Sequence, residues 1–486
     1  MKTSGRFFLM AALLTLILAG RLPAQTFTLL HDFTSVFGAN ATNSDGATPA
    51  AGLILAGNRL YGTAKYGGNS GWGTVFSVNS DGSDFTASYH FTGGIDGANP
   101  SAELMISDNT LYGTANTRGG FGSGTVFALN TDGSGFLNLH SFSAIANNSF
   151  GVQTNSEGAH PLANLILSGN SLYGTANDGG TSGHGTVFSM QTNGTGFVSL
   201  HSFSSGSGGA FSAAGLTISG NIMNGANYGN LGSGTIFAID TDGNNFTNNY
   251  AFTSRSPNGT NSDGANPHSS LLLFGNTLYG TTVNGGSSGN GTVFSINADG
   301  TGFSNLHSFA AGAYNSSGLY TNSDGAHPSA GLVLSGSKLY GTANAGGNSG
   351  QGAVFVLNTN GTGFSNLYSF TGTPPYPQAQ TNSDGAQPFG GLVLSGNALY
   401  GTTAYGGSSG NGTVFRLSFA PHLAISRSAT NIILSWPANI AGFDFTGFTL
   451  QSTPALTSTF TNIPGATNPY TNSISDAQQF YRLSPK

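Results

Sequence analysis

A single phrase dominates this chain: Gly-Leu-Val-Leu-Ser-Gly-Asn-x-Leu-Tyr-Gly-Thr, followed by Gly-Gly and then by Gly-Thr-Val-Phe. Its Leu-Tyr-Gly-Thr part stands at Leu60–Thr63, Leu111–Thr114, Leu172–Thr175, Leu278–Thr281, Leu339–Thr342 and Leu399–Thr402, and a degraded copy, Ile222-Met223-Asn224-Gly225, fills the fourth place. Seven copies at intervals of 50 to 61 residues, each built from short apolar runs, require an array or a ring. Each such unit can bury its apolar faces only against its neighbours.

The first copy predicts the local fold. Residues 52–56 are a short apolar run, Gly57-Asn58 is a turn, and Leu60–Thr63 lies in a second strand. A glycine-rich connection through Gly67-Gly68 and Gly71-Trp72-Gly73 leads to a third strand over 74–79. Asp81-Gly82 is a hairpin signal, because both residues tolerate positive φ, and 85–91 is the fourth strand. One such sheet, rich in glycine, is not stable alone. In the third strand Phe76, Phe127, Phe188, Phe237, Phe294, Phe355 and Phe415 share a face with an aliphatic residue two positions on, while Val or Ile and a mostly small residue occupy the other face. That alternation suits sheets packed face to face, and four-stranded sheets set radially are the blades of a β-propeller.

The two ends of the repeat region complement each other. The last copy stops after Thr413-Val414-Phe415-Arg416-Leu417, without its Asp-Gly turn or fourth strand. Near the start, Phe27-Thr28-Leu29-Leu30-His31-Asp32-Phe33 matches the fourth-strand pattern Phe303-Ser304-Asn305-Leu306-His307-Ser308-Phe309 without a gap. The expected fold is therefore all-β: a seven-bladed β-propeller over 25–419, closed by the N-terminal strand. An open solenoid with an atypical cap is the alternative, and it has no need of one complementary missing strand. Residues 420–486 abandon the repeat and read as a small C-terminal β-sandwich with Trp436 and Tyr481 in its core.

Composition narrows the partners. Charged residues are 6% of the chain, Lys and Arg number 12, and glycine accounts for 77 of 486 positions. A surface of Asn, Ser, Thr and Gly steers charged partners weakly, and the lack of a basic stripe argues against nucleic acid. With no cysteine, disulfides, thiolate nucleophiles and Cys-based metal sites are excluded. Lys2, Arg6, the apolar run over 7–19 and the small residue Ala24 read as a secretory leader over 1–24. No later segment has the length of a membrane helix. The expectation is a secreted or extracellular monomer, soluble or attached at the cell surface, without a transmembrane segment once the leader is removed.

Leu-Tyr-Gly-Thr, Gly-Gly-x-x-Gly-x-Gly-Thr-Val-Phe and Asn-x-Asp-Gly-x-x-Phe together resemble the GloVer repeat of secreted bacterial proteins, over residues 26 to about 418. The tail resembles a small C-terminal module of secreted proteins from the same bacteria, through Leu434-Ser435-Trp436-Pro437, Phe448-Thr449-Leu450-Gln451-Ser452-Thr453 and Phe480-Tyr481-Arg482-Leu483. The resemblance implies export and varied surface anchoring. It implies no activity and no catalytic residues.

In propeller geometry the glycine-rich loops and the Asp-Gly-Ala-x-Pro loops share one face, where function is expected. The motif's acid recurs at Asp45, Asp96, Asp263, Asp324 and Asp384, with Glu157 once. Asn-Ser-Asp-Gly resembles half of a calcium loop, but one acid per loop falls short of the several carboxylates that calcium needs. An acid that accepts backbone N–H groups and fixes the start of the next blade is the simpler reading. His31, His140, His201 and His307 alternate with Tyr89, Tyr250 and Tyr368 at one position of successive outer strands, so they cannot converge on a metal. The glycine loops lead into strands and lack the Lys-Ser/Thr of a phosphate cradle. No metal site, cofactor or catalytic residue is assigned.

Singular residues at repeated positions are the candidate ligand-binding set. Between the last two glycines stand Trp72, Ser123, His184, Ser233, Asn290, Gln351 and Asn411, and just before Gly-Gly stand Tyr66, Arg118, Asp178 and Tyr405, with Tyr228 nearby in the fourth copy. Glu103 opens an inner strand where other copies have Gly, Asn or Ser. Aromatic rings beside Asn, Asp and Arg at a channel mouth suit a neutral glycan, by stacking and hydrogen bonding; drift in exposed loops is the plain alternative. The expected function is a non-enzymatic binding or surface module for a neutral glycan or a surface protein. The alternatives are a carbohydrate-active hydrolase or lyase, for example with Glu103 and Asp178 as a carboxylate pair, and a purely structural envelope protein.

Overall fold

The protein is represented by a computed structural model that describes residues 25–204, 210–212, 214–229, 232–374, 380–428, 430–473 and 479–485. The leader expected over 1–24 lies outside the described residues. Two compact units emerge: Phe27–Ser418, and a second made of Phe419–Lys486 with the residues up to Thr26. Among the described residues there is no helix, hence none long and apolar enough to cross a membrane.

In the first unit each copy forms its own antiparallel sheet. The strands of copy one are Ile54–Ala56, Arg59–Ala64, Thr74–Asn79 and Thr86–His90. The central pair runs from Arg59 opposite Asn79 to Ala64 opposite Thr74. A β-bulge between Val75 and Phe76 re-aims the outer strand, and it recurs at the equivalent place in the next five copies. Copy five carries an additional strand, Ala265–Pro267. Register corrects one alignment: Gly225 lies opposite Phe237 as Gly62 lies opposite Phe76. The degraded copy is therefore Met223-Asn224-Gly225-Ala226, one residue later than the sequence reading had it. The glycine is the anchor because it makes room for that phenylalanine. A methyl group on Gly62 would stand 2.6 Å from Phe76 Cζ and 2.8 Å from Leu53 Cδ2.

The sheets bury their faces against one another, as the large–small alternation predicts. Tyr61, Val75 and Phe91 of copy one pack against Leu104, Leu111, Phe127 and Leu129 of copy two, and equivalent clusters join copies two to six in succession. The first and last copies share a core as well: Leu30, Phe33, Leu53, Leu60, Phe76, Val78, Tyr400 and Val414. The strand Gln25–Asp32 lies beside Thr413–Phe419 in the last copy's sheet. There the Phe33 N–H donates to the Gly412 carbonyl at 3.1 Å, the counterpart of Phe91 to Gly73 at 3.0 Å.

A second set of contacts makes the same circuit. The outer-strand His or Tyr of each copy stacks flat on the phenylalanine that opens the next copy's outer strand. The pairs are His31 on Phe85, Tyr89 on Phe136, His140 on Phe197, His201 on Phe246, Tyr250 on Phe303, His307 on Phe364 and Tyr368 on Phe27. Phe27 is the residue from which the series started. Threonine hydroxyls do likewise on the inner side: Thr63 donates to the Ala102 carbonyl, and Thr402 of the last copy donates to Ala51 of the first at 2.7 Å.

The second unit contains two three-stranded antiparallel sheets. One orders Ala424–Ser428, Asn431–Ser435 and Tyr470–Ser473; the other orders Thr461–Asn462, Phe448–Thr453 and Phe480–Pro485. Leu434, Trp436 and Leu450 form its core, with Tyr470, Tyr481 and Leu483 packed on them.

Candidate functional site

The loop acid is a backbone acceptor. Asp45 takes the Thr34 N–H and the His31 Nε2, each at 3.0 Å. Burial pushes its carboxyl up, but the hydrogen bonds from His31 and Thr34 outweigh burial and hold it below its ordinary range. Asp96, Asp263, Asp324 and Asp384 repeat the arrangement with Tyr89, Tyr250, His307 and Tyr368. His and Tyr interchange because either ring stacks on a phenylalanine while its tip donates to the acid. Asn43 accepts N–H bonds from Gly46 and Gly68 and donates to the Thr34 and Gly46 carbonyls, which ties the motif to the glycine loop.

Loops of adjacent copies are joined by one repeated bond. The carbonyl of the residue between the last two glycines accepts the N–H of residue x in the next Asp-Gly-Ala-x-Pro. Asn99 donates to Trp72 at 2.9 Å, Phe211 to His184 at 3.0 Å, and Thr48 of the first copy to Asn411 of the last at 2.8 Å. All seven x residues (Thr48, Asn99, His160, Phe211, Asn266, His327 and Gln387) have φ between +55° and +61°. That region costs a non-glycine residue on the order of 1–2 kcal/mol. Seven such residues therefore hold this seam at a local energetic cost.

Inside the seam lies a channel. Gly52, Glu103, Asn164, Gly215, Ser270, Gly331 and Gly391, one equivalent residue from each copy, line a single cavity of about 280 Å³. The Ser270 hydroxyl donates to Asn164 Oδ1 at 2.8 Å, past copy four. Gly215 leaves room for this bond, since a methyl group there would stand 1.8 Å from Asn164 Oδ1. Glu103 Oε2 would stand 2.9 Å from a methyl on Gly52. Burial pushes the Glu103 carboxyl up to about 7. The residue after the motif's proline forms the next tier: Ala50, Ser101, Leu162, His268, Ser329 and Phe389. A wider cavity of about 600 Å³ shares Leu162, His268, Ser329 and Phe389 with the channel and adds Asn177, Asp178, Phe211, Tyr228 and Asn344. Burial holds the His268 imidazole below its ordinary range, partly offset by a backbone hydrogen bond at Ser329. Tyr228 meets His268 edge-on at 5.9 Å.

The eight residues singled out from the sequence do not form one rim. Asp178 and Tyr228 line the wider cavity, and Glu103 lines the channel. His184 stacks on Phe211 with its ring centroid 5.8 Å away, and its Nδ1 has no hydrogen-bond partner among the described residues. Trp72 is half-buried under the Arg118 guanidinium, whose Cζ is 4.3 Å from the ring centroid. Tyr66 and Tyr405 are exposed, at 42% and 41%, and Lys65 Nζ lies 5.2 Å from the Tyr66 ring centroid. Asp178 hydrogen-bonds His160 at 2.9 Å and Asn177 at 3.1 Å beside the wider cavity, while Glu103 lines the channel. One reading needs correction. Arg118 is not the counterpart of Tyr66. Thr117 is, and Arg118 takes the place of the first glycine, with φ +66° where Gly67 has +72°. Residues missed were His268, Phe389 and Leu162. Their signal was a variable position immediately after a repeated proline.

A family profile described as the Gloeobacter/Verrucomicrobia repeat matches residues 21–230, 226–377 and 257–462. No curated protein matches the sequence. Among solved structures, the chain is similar to a puromycin hydrolase mutant (TM-score 0.48, 10% identity, 83% of this chain and 61% of that one). It is also similar to an oligogalacturonate lyase in complex with manganese (TM-score 0.46, 10% identity, 82% and 96%). A third similarity is to a nidogen/laminin complex (TM-score 0.38, 10% identity, 62% and 90%). Likeness this distant transfers no activity.

Proposed function

We propose, for a chain that belongs to the Gloeobacter/Verrucomicrobia repeat family, that its seven sheets form a closed seven-bladed propeller followed by a small sandwich. On this reading the propeller is an exported, non-enzymatic module that binds a neutral glycan on its glycine-loop face. The circuit of stacked rings that returns from Tyr368 to Phe27 supports the closed ring. The observation that carries the binding function is the wider cavity, where Tyr228, Phe211 and Phe389 stand beside Asp178, Asn177 and Asn344. Aromatic faces take the C–H face of a pyranose, and side-chain amides and a carboxylate take its hydroxyls.

A glycan array with the full chain and with Tyr228→Ala, Trp72→Ala and Tyr405→Ala tests this. The expected result is binding of neutral oligosaccharides, lost in Tyr228→Ala and weakened in the other two. Binding indifferent to all three changes, or capture of a surface protein without any glycan, contradicts it. Export is checked by fractionating cells that express the natural chain, where recovery in the cytoplasm alone is the contrary result.

A second reading, a carbohydrate-active enzyme, is favoured by Glu103, a carboxyl held near neutrality inside a channel. Release of reducing ends from a polysaccharide, abolished in Glu103→Gln, would establish it.

A further inference from the structure

Arg118 stands out at the junction of copies one and two. Glycine fills its position at Gly67, Gly179, Gly285, Gly346 and Gly406, with φ between +68° and +76°. An arginine there, at φ +66°, bears a backbone cost that glycine avoids. Its guanidinium makes no hydrogen bond or ion pair with any described residue and lies over Trp72. Trp72 in turn depends on a glycine, since a methyl group on Gly93 would stand 2.6 Å from the indole. Asn99 connects the neighbourhood: its N–H donates to Trp72, its amide donates to the Lys65 carbonyl at 3.1 Å, and it accepts from the Thr117 hydroxyl at 2.8 Å. The Asp-Gly-Ala-x-Pro acid that precedes Arg118, Asp96, is occupied by Tyr89, Thr92 and Gly94. Ile95 and Phe121, on the loops around Arg118, are 75% and 62% exposed. Gly119 and Gly94, which hydrogen-bond at 3.1 Å, bring those two loops together.

A guanidinium held over an indole by its central carbon, with no hydrogen bond from its N–H groups to the described residues, keeps those groups for a carboxylate, which takes two parallel hydrogen bonds. With an exposed apolar side chain on either loop, the junction suits a ring that has a C–H face and a carboxylate. We propose that Arg118, with Trp72 beneath it, is an anion subsite that selects a uronic acid residue of a bound saccharide. This rests on the glycan-binding reading above and adds a requirement for charge to it.

The test is calorimetric titration of the full chain with a β-1,4-linked tetramer of glucuronic acid and with its uncharged counterpart, the β-1,4-linked glucose tetramer. Arg118→Ala and Arg118→Gly are measured alongside. The acidic tetramer is expected to bind about tenfold tighter than the neutral one, as a charge-assisted hydrogen-bond pair implies. Both variants should erase that difference by bringing the acidic tetramer's affinity down to that of the neutral one, and the difference should shrink between 0.05 and 0.5 M salt, both chosen as roughly bracketing weak and strong screening. A sulfated glucose tetramer whose affinity matches that of the acidic one shows a general anion subsite and overturns the selection of a carboxylate. Equal binding of the acidic and neutral tetramers overturns the subsite while leaving glycan recognition intact. Binding of no tetramer overturns both. A preference that survives in both variants assigns the charge selection elsewhere and reduces the Arg118–Trp72 pair to packing.

Discussion

At one position of the outer strand stand His31, Tyr89, His140, His201, Tyr250, His307 and Tyr368, and every one of them stacks on the next copy's phenylalanine. At one position of the inner tier stand Gly52, Glu103, Asn164, Gly215, Ser270, Gly331 and Gly391, and they do different things around one cavity. The outer set varies within one job, to place a flat ring with a polar tip. The inner set varies without a shared job, because it faces a common space in which each copy's residue is felt separately. Interchange that preserves a contact marks scaffold. Variation that differentiates equivalent positions around a cavity marks the place where a ligand can be told from its neighbours.

Four changes would break or sharpen that contrast, in falling order of effect. Phe33→Ala removes a fully buried ring at the junction of the first and last copies. It should cost about 3–5 kcal/mol in denaturant unfolding, as much as Phe91→Ala in the interior of the series. A much smaller loss at Phe33 would make the terminal junction unlike the others.

Glu103 belongs to the inner set and answers to pH. Its carboxyl is raised from 4.5 to about 7, so the folded state holds the proton more tightly than the unfolded chain does. Stability is full below pH 4.5, falls as pH rises toward about 7, and is level beyond. Glu103→Gln should remove that fall and gain at most about 3 kcal/mol above neutrality. Parallel pH profiles for the two proteins would place Glu103 in water.

Gly62→Ala tests the scaffold rule that the strand glycine makes room for Phe76. Overpacking should cost about 1–3 kcal/mol, read as a lower midpoint at an unchanged denaturant slope.

Copy four supplies the smallest change. Ala226 stands where other copies have the threonine that donates to the next copy. Ala226→Thr should add about 1 kcal/mol by restoring a hydroxyl donor toward the Ser269 carbonyl. A loss would show that the fourth junction has settled into a different fit.

Scaffold was the legible part. Period, strand order, the complementary ends and the face of Phe76 are local or repeated signals, and seven copies average out the noise of any one. The site was less legible, for a physical reason. Which loop residues meet depends on where side chains lie after the seam has formed. Counting from Gly-Gly sets Arg118 beside Tyr66, whereas its bridge to Ser123 and the positive φ of residue 118 show that it occupies a glycine position. His268 and Phe389 follow a proline in the sequence like any loop residue, and they become a tier only when their copies are brought around one channel. Trp72 was read as a rim aromatic because of its loop, yet a cation covers it.

The N-terminal strand completes the last copy's sheet, and amide hydrogen exchange measures this directly. The N–H groups of Phe33, Phe91, Phe142, Phe203, Phe252, Phe309 and Phe370 make equivalent bonds, to Gly412, Gly73, Gly124, Gly185, Gly234, Gly291 and Gly352. Closure predicts that Phe33 is protected to the same degree as the other six. Exchange of Phe33 at the rate of free chain, with the other six protected, would contradict it.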